Sequence, residues 1–184
     1  MYQKAKIFAA NAHLGQKRKI TGEKYFSHPL NVARLLANAG FSEEVVVAGL
    51  LHDVVEDTEI TSQEIERQFG KPVAELVAAH TENKALSWEE RKAHTIETVR
   101  LGSLAEKALI VADKYDNLLS IQYAFSSEGK RVWSYFKRSY SEQKWYYESV
   151  AKEMSFGLGV PEIPSFFFSY AQLVPIVFGE NMIS

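Results

Sequence analysis

The chain has 184 residues, with 21 Lys plus Arg against 23 Asp plus Glu for a formal charge of −2, 46% apolar and 24% charged residues, and no cysteine. This length fits one domain able to bury a core, and the near balance of charge argues against coating a nucleic acid or an anionic membrane. The missing cysteines exclude disulfides, thiolate nucleophiles and cysteine-based zinc sites. The N-terminal stretch MYQKAKIFAANAHLGQKRK lacks the uninterrupted apolar run of a signal peptide, so a cytoplasmic protein is expected.

The hydrophobic period is helical almost throughout. Ile7, Phe8 and Ala12 predict a first helix over 3–16, followed by a basic polar loop, QKRKITGEK (16–24), that turns at Gly22. Ser27 and His28 precede Pro29, a helix opening, and the second helix should end at Gly40. Ser42 opens a third helix expected to run through VVVAGLLHDVVEDT to about Thr58. Thr61 with Glu64, Ser87 with Glu90 and Ser103 with Glu106 have capping-box spacing, and Gly70 stops the helix after the first of them. A long helical region covers about 130–156, with Trp133, Phe136, Tyr140, Trp145 and Val150 available for burial and Gly157 and Gly159 closing it. The apolar segment PSFFFSYAQLVPIVFG (164–179) is broken by polar residues and Pro175 and is too short for the roughly 20 residues of a spanning helix, so it predicts packing rather than a membrane role. No Asn-Gly hairpin turn, internal repeat or low-complexity tract is present. The expected architecture is an all-α bundle of about seven to nine helices in one domain spanning 1–184, with a core over about 5–155 and a helical extension over 156–184.

One segment needs a chemical explanation. In GLLHDVVEDT (49–58), a continuous helix at 100° per residue gathers His52, Asp53, Glu56 and Asp57 on one arc, opposite an apolar stripe of Val47, Leu50, Leu51, Val54 and Val55. Three carboxylates on adjacent turns near a helix C-terminus repel one another and the macrodipole. A divalent cation would compensate, since imidazole nitrogen and carboxylate oxygen suit Mn, Fe or Zn. His28 stands at a helix start, where it can project into a cleft. Asp113 interrupts the apolar run ALIVADKYDNLLSI (108–121), where an ionised carboxylate costs several kcal/mol unless satisfied. Lys114 points about 100° away on a helix, and the i+4 neighbour of Asp113 is the neutral Asn117, so no local ion pair is expected. A metal held by His28, His52, Asp53 and Asp113 answers all of these at once.

The pattern His28, His52-Asp53, Asp113 resembles the HD-domain metal phosphohydrolases. The fuller stretches GQKRK, YFSHPLNVA, GLLHDVVEDT, FGKPVAELV and ADKYDN are similar to the hydrolase domain of the RelA/SpoT family, and the absence of a synthetase domain is similar to its small alarmone hydrolases. The resemblance covers about residues 5–155. It implies an HD-type helical bundle that removes pyrophosphate from the 3′ position of (p)ppGpp to give GDP or GTP, with Mn²⁺ the expected cofactor and the nucleotide the expected partner. It implies further that His28, His52, Asp53 and Asp113 hold the metal and that Glu56 and Asp57 work on the attacking water. Arg18, Lys19, Asn117 and Tyr146 would contact substrate. Lys24 and the segment HTENK (80–84) depart from some relatives, which leaves an adenine alarmone open as substrate. A different HD phosphohydrolase, such as a 5′-nucleotidase, and an inactive nucleotide-binding module are the competing readings.

Overall fold

Hydroxyl side chains start four of the helices. Ser87 accepts the Glu90 N–H while the Glu90 carboxylate accepts the Ser87 N–H, and Ser103 and Glu106 form the same reciprocal pair. Thr61 caps its helix by accepting the Glu64 N–H. The structure, a computed structural model, describes residues 1–179; the final residues of the expected 156–184 extension lie outside them. In order, the chain forms α1 (Tyr2–Ala12), α2 (Ser27–Asn38), α3 (Glu43–Leu51), α4 (Val54–Asp57), α5 (Ser62–Phe69), α6 (Lys71–His80), α7 (Trp88–Leu101), α8 (Leu104–Glu128), α9 (Tyr140–Glu153) and α10 (Ser165–Val177), with 3-10 turns at Gly129–Tyr135 and Val160–Glu162. Taking α3 and the single turn α4 as one broken helix gives the upper end of the expected range. Among the described residues there is no β-strand, only an isolated antiparallel bridge between Lys17 and Lys24.

Three helix boundaries differ from the sequence expectation. The first helix ends at Ala12, and the loop from His13 to Phe26 is held by the bridge and by the Arg18 N–H donating to the Glu23 carbonyl at 2.9 Å. The helix expected over Ser42 to Thr58 breaks at His52 and Asp53, before resuming at Val54. The region 130–156 is not one helix: α8 reaches Glu128, and α9 starts afresh behind a capping box of Ser139 and Glu142. Trp145 consequently turns outward at 45% exposure, while Val150 is buried.

Helix α8 runs through the middle of the molecule. Its residues from Lys107 to Asp113 are all buried, which explains the unbroken apolar run from Ala108 to Ala112, and it packs against α2, α3, α6, α7 and α10. Helices α2 and α3 approach so closely at Gly49 that a Cβ there would stand 2.8 Å from Leu36 Cδ1 and 3.2 Å from Ala33 Cα. The apolar C-terminal segment packs as expected: Phe166, Phe167, Tyr170, Leu173, Val174 and Val177 of α10 are buried, and the Tyr170 hydroxyl donates to the Tyr147 carbonyl at 3.0 Å. No helix among the described residues is long and apolar enough to cross a membrane.

Candidate metal centre and active site

The close approach of α2 and α3 brings their histidines face to face. His28, in the first turn of α2, and His52, just past α3, are 3% and 0% exposed, with Nε2 atoms 3.2 Å apart. Asp53 Oδ2 lies 3.0 Å from His52 Nε2 and 3.6 Å from His28 Nε2. Asp113, midway along α8, places Oδ1 3.2 Å from His28 Nε2. The structure therefore brings together the four residues expected to hold a metal. His52 and Asp53 stand at the junction of α3 and α4, where both keep right-handed helical backbone angles and their side chains meet at one point.

The outer partners test whether a cation fits. His52 Nδ1–H donates to the Gly49 carbonyl at 2.9 Å, and His28 Nδ1–H donates to Asp116 Oδ2 at 2.7 Å. Both partners only accept, so in each neutral ring the Nε2 carries the lone pair, and the two lone pairs converge with two carboxylates. A divalent cation suits this donor set of two imidazoles and two carboxylates. Burial alone lowers the His28 pKa, but Asp113, Asp116 and Asp53 outweigh it and raise the value to about 9. Burial works the other way on Asp53, yet His52 and His28 hold its carboxyl well below the usual range. Asp113 does have a local ion pair, contrary to the expectation from helix angles: Lys114 bends back so that its Nζ meets Asp113 Oδ2 at 2.7 Å, a reach its four-carbon stem allows.

Glu56 and Asp57 stand on α4 at the open side of this cluster. Burial raises the Glu56 carboxyl above its ordinary pKa, although its Oε2 accepts the Glu82 N–H at 3.3 Å. Asp57 is more exposed, 3.4 Å from the Tyr25 hydroxyl and 3.6 Å from Lys84 Nζ. The turn that carries both is pinned by Gln16, whose Nε2 donates to the Asp57 carbonyl at 3.0 Å, and by Lys84, whose ammonium donates to the Glu56 carbonyl.

A cavity of about 700 Å³ opens over the cluster. Its lining combines His28, His80, Asp53, Glu56, Asp57, Glu82 and Asp113 with Lys17, Arg18, Lys19, Lys92, Lys114 and Lys137; Lys114 pairs with Asp113 and Lys92 with Glu82. Arg18 reaches the wall but is anchored there, donating to Asp116 Oδ2 at 2.5 Å and to Asn117 Oδ1 at 3.2 Å. Lys19 is exposed at the rim, and Asn117 lines the cavity while donating to Asp113 Oδ1 at 2.6 Å. Tyr146 is not brought to the wall. It is 2% exposed, with Lys92 Nζ 4.8 Å and Lys114 Nζ 5.8 Å from its ring centroid, and burial raises its hydroxyl to about 12.

Sequence reasoning overlooked several residues of the site. Asp116 accepts from His28, Arg18 and Asn31, and its place three residues after Asp113 on a buried helix could have revealed it. Tyr25 donates to Asp53 Oδ2 at 2.6 Å. His80 ends α6 with Nε2 3.2 Å from Asp113 Oδ2 and its ring centroid 4.8 Å from that of His52. The only signal for it was a histidine closing the apolar run VAELVAAH.

Comparison with known proteins agrees with this geometry. Residues 5–138 match the HD domain family. The guanosine-3′,5′-bis(diphosphate) 3′-pyrophosphohydrolase MESH1 of Danio rerio is 39% identical over 136 residues, covering 71% of this chain and 75% of that protein, and the Homo sapiens MESH1 is 41% identical with the same coverage. An Aquifex aeolicus protein of the same enzyme name is 37% identical, but the match spans only 19% of its length. Among solved structures, a Listeria monocytogenes EGD-e protein is 67% identical at a TM-score of 0.80, with 83% of this chain and 99% of that one covered. A metazoan orthologue of SpoT that hydrolyses ppGpp is 27% identical at a TM-score of 0.78, with 97% and 95% covered. A family match across most of the chain, joined to MESH1 relatives aligned over three quarters of their own length, makes this protein a member of the HD-domain family, in its SpoT-like hydrolase branch.

Proposed function

We propose that the protein is a divalent-metal-dependent hydrolase that releases pyrophosphate from the 3′ position of (p)ppGpp, leaving GDP or GTP, with Mn²⁺ as the working ion and the cytoplasm as its compartment. The observation that carries this reading is the convergence of two imidazole lone pairs and two carboxylates in a cavity whose lining also carries Lys17, Arg18, Lys19 and Lys137. The enzyme name shared by the MESH1 relatives supports the substrate assignment.

His28, His52, Asp53 and Asp113 would hold the cation, which when bound supplies Lewis-acid polarisation and a more acidic water. Glu56 stands beside that cluster with a raised carboxyl pKa, suited to taking a proton from the water that attacks phosphorus as the bond to the 3′ oxygen breaks. Asp57, held by Tyr25 and Lys84, orients that water. Arg18 is fixed by Asp116 and Asn117 for planar contact with the nucleotide, while Lys19 adds positive charge at the rim. Tyr146 supports Lys92 and Lys114 from behind.

Incubation of the purified protein with Mn²⁺ and ppGpp is expected to release pyrophosphate, and a chelator is expected to abolish that release. Release of orthophosphate alone, or preferential turnover in a panel of mononucleotides, would favour a different HD phosphohydrolase.

A further inference from the structure

His80 takes no part in the reading above, yet its surroundings give it a defined task. Asp113 divides its two oxygens between different neighbours. Oδ1 faces His28 Nε2 at 3.2 Å and accepts Asn117 Nδ2–H at 2.6 Å. Oδ2 faces His80 Nε2 at 3.2 Å and Lys114 Nζ at 2.7 Å. An ionised carboxylate only accepts, so His80 must present its proton on Nε2. With a ring N–H and an ammonium on it, Oδ2 has both lone pairs engaged, whereas Oδ1 accepts one hydrogen bond and keeps a lone pair for a cation.

The ring of His80 is itself held in place. It closes α6, stands edge-on to His52 at 89°, and has a side chain 7% exposed. Its other nitrogen, Nδ1, is buried with no partner, so the bond to Asp113 is the one polar contact this side chain makes among the described residues. Leaving the buried Nε2–H donor unpaired as well would be costly. Direct ligation by Nε2 would require breaking the contact with Asp113 and placing a second positive charge beside the Lys114 ammonium, which the geometry disfavours.

We propose that His80 is a positioning residue of the metal centre: by donating Nε2–H to Asp113 Oδ2 it makes Asp113 a one-oxygen ligand and tightens the grip on the cation. This rests on the metal-dependent reading above. Removing the outer partner of a metal ligand typically weakens binding 10–100-fold.

The test is a Mn²⁺ titration of the metal-free full chain, followed by electron paramagnetic resonance, for wild type, His80→Leu, His80→Asn and His80→Gln. His80→Leu and His80→Asn, which lack a donor at the right reach, are expected to bind Mn²⁺ about 10–100-fold more weakly, and His80→Gln, which can restore an N–H, close to wild type. Circular dichroism of the metal-free proteins checks folding, and His80→Asn serves if His80→Leu does not fold. Pulsed measurements on Mn²⁺ should count two coordinated histidine nitrogens in every variant. Unchanged affinity in the folded variants would overturn the proposal, as would three nitrogens in wild type falling to two in His80→Leu. Wild type that binds no Mn²⁺ would remove the metal reading itself, and this inference with it.

Discussion

The two ends of the cavity are built in different ways. At the metal end, His28 comes from the first turn of α2, His52 from the residue after α3 and Asp113 from within α8; all are nearly inaccessible, and each has a further hydrogen-bond partner that fixes its orientation. At the basic rim, Lys17 and Lys19 come from the loop after α1 and Lys137 from the segment before α9, and all three are exposed. A reacting centre needs placement within fractions of an ångström, which packed helices provide, whereas an anionic ligand can be attracted by charges that adjust their position. Arg18 belongs to both regimes, since it starts in the loop and is clamped by α8. The contrast indicates that substitutions at the metal end should change the chemical step, and substitutions at the rim the apparent affinity.

The strongest challenge to this division is Asp113→Ala. With the central carboxylate gone, Mn²⁺ binding and pyrophosphate release should both fall, the rate by on the order of 10³-fold or more; a variant that keeps its metal and its rate would show that Asp113 is structural. Next is Glu56→Gln, expected to lower kcat by about 10²–10⁴-fold with metal content unchanged. Glu56 works when deprotonated and burial raises its pKa, so the rate should decline as pH falls through a value above that of an ordinary glutamate. A pH–rate profile of wild type checks this, and an acid limb at the ordinary glutamate position would contradict it.

Gly49→Ala probes the packing beneath the metal end. The added Cβ meets Leu36 and the Ala33 backbone, so α2 and α3 must separate, at about 1–3 kcal/mol in thermal unfolding. The smallest effect is expected for Lys19→Ala, a few-fold rise in KM that shrinks with added salt while kcat holds. A fall in kcat equal to the rise in KM would mean that the rim takes part in the chemical step.

Much of this was legible in the sequence because helices announce themselves locally. Serine and glutamate three residues apart mark starts, and Asp113 was conspicuous as a carboxylate in an apolar run. What could not be read were features depending on side-chain reach or on partners far along the chain. Helix angles placed Lys114 away from Asp113, but a flexible stem brought its ammonium back. His80 and Tyr25 have no periodicity to expose them, since each matters only through a residue 28 or 33 positions away. Tyr146 was expected at the substrate only through the family resemblance, and the packing of α9 buries it with Lys92 and Lys114 over its ring.

The interruption between α3 and α4 has an implication for anyone wishing to move this centre elsewhere. The dipeptide at that junction supplies two of the four donors, while the others arrive from α2 and α8, whose approach is set by packing such as that around Gly49. Grafting the dipeptide alone onto a designed bundle should therefore fail unless the two neighbouring helices travel with it.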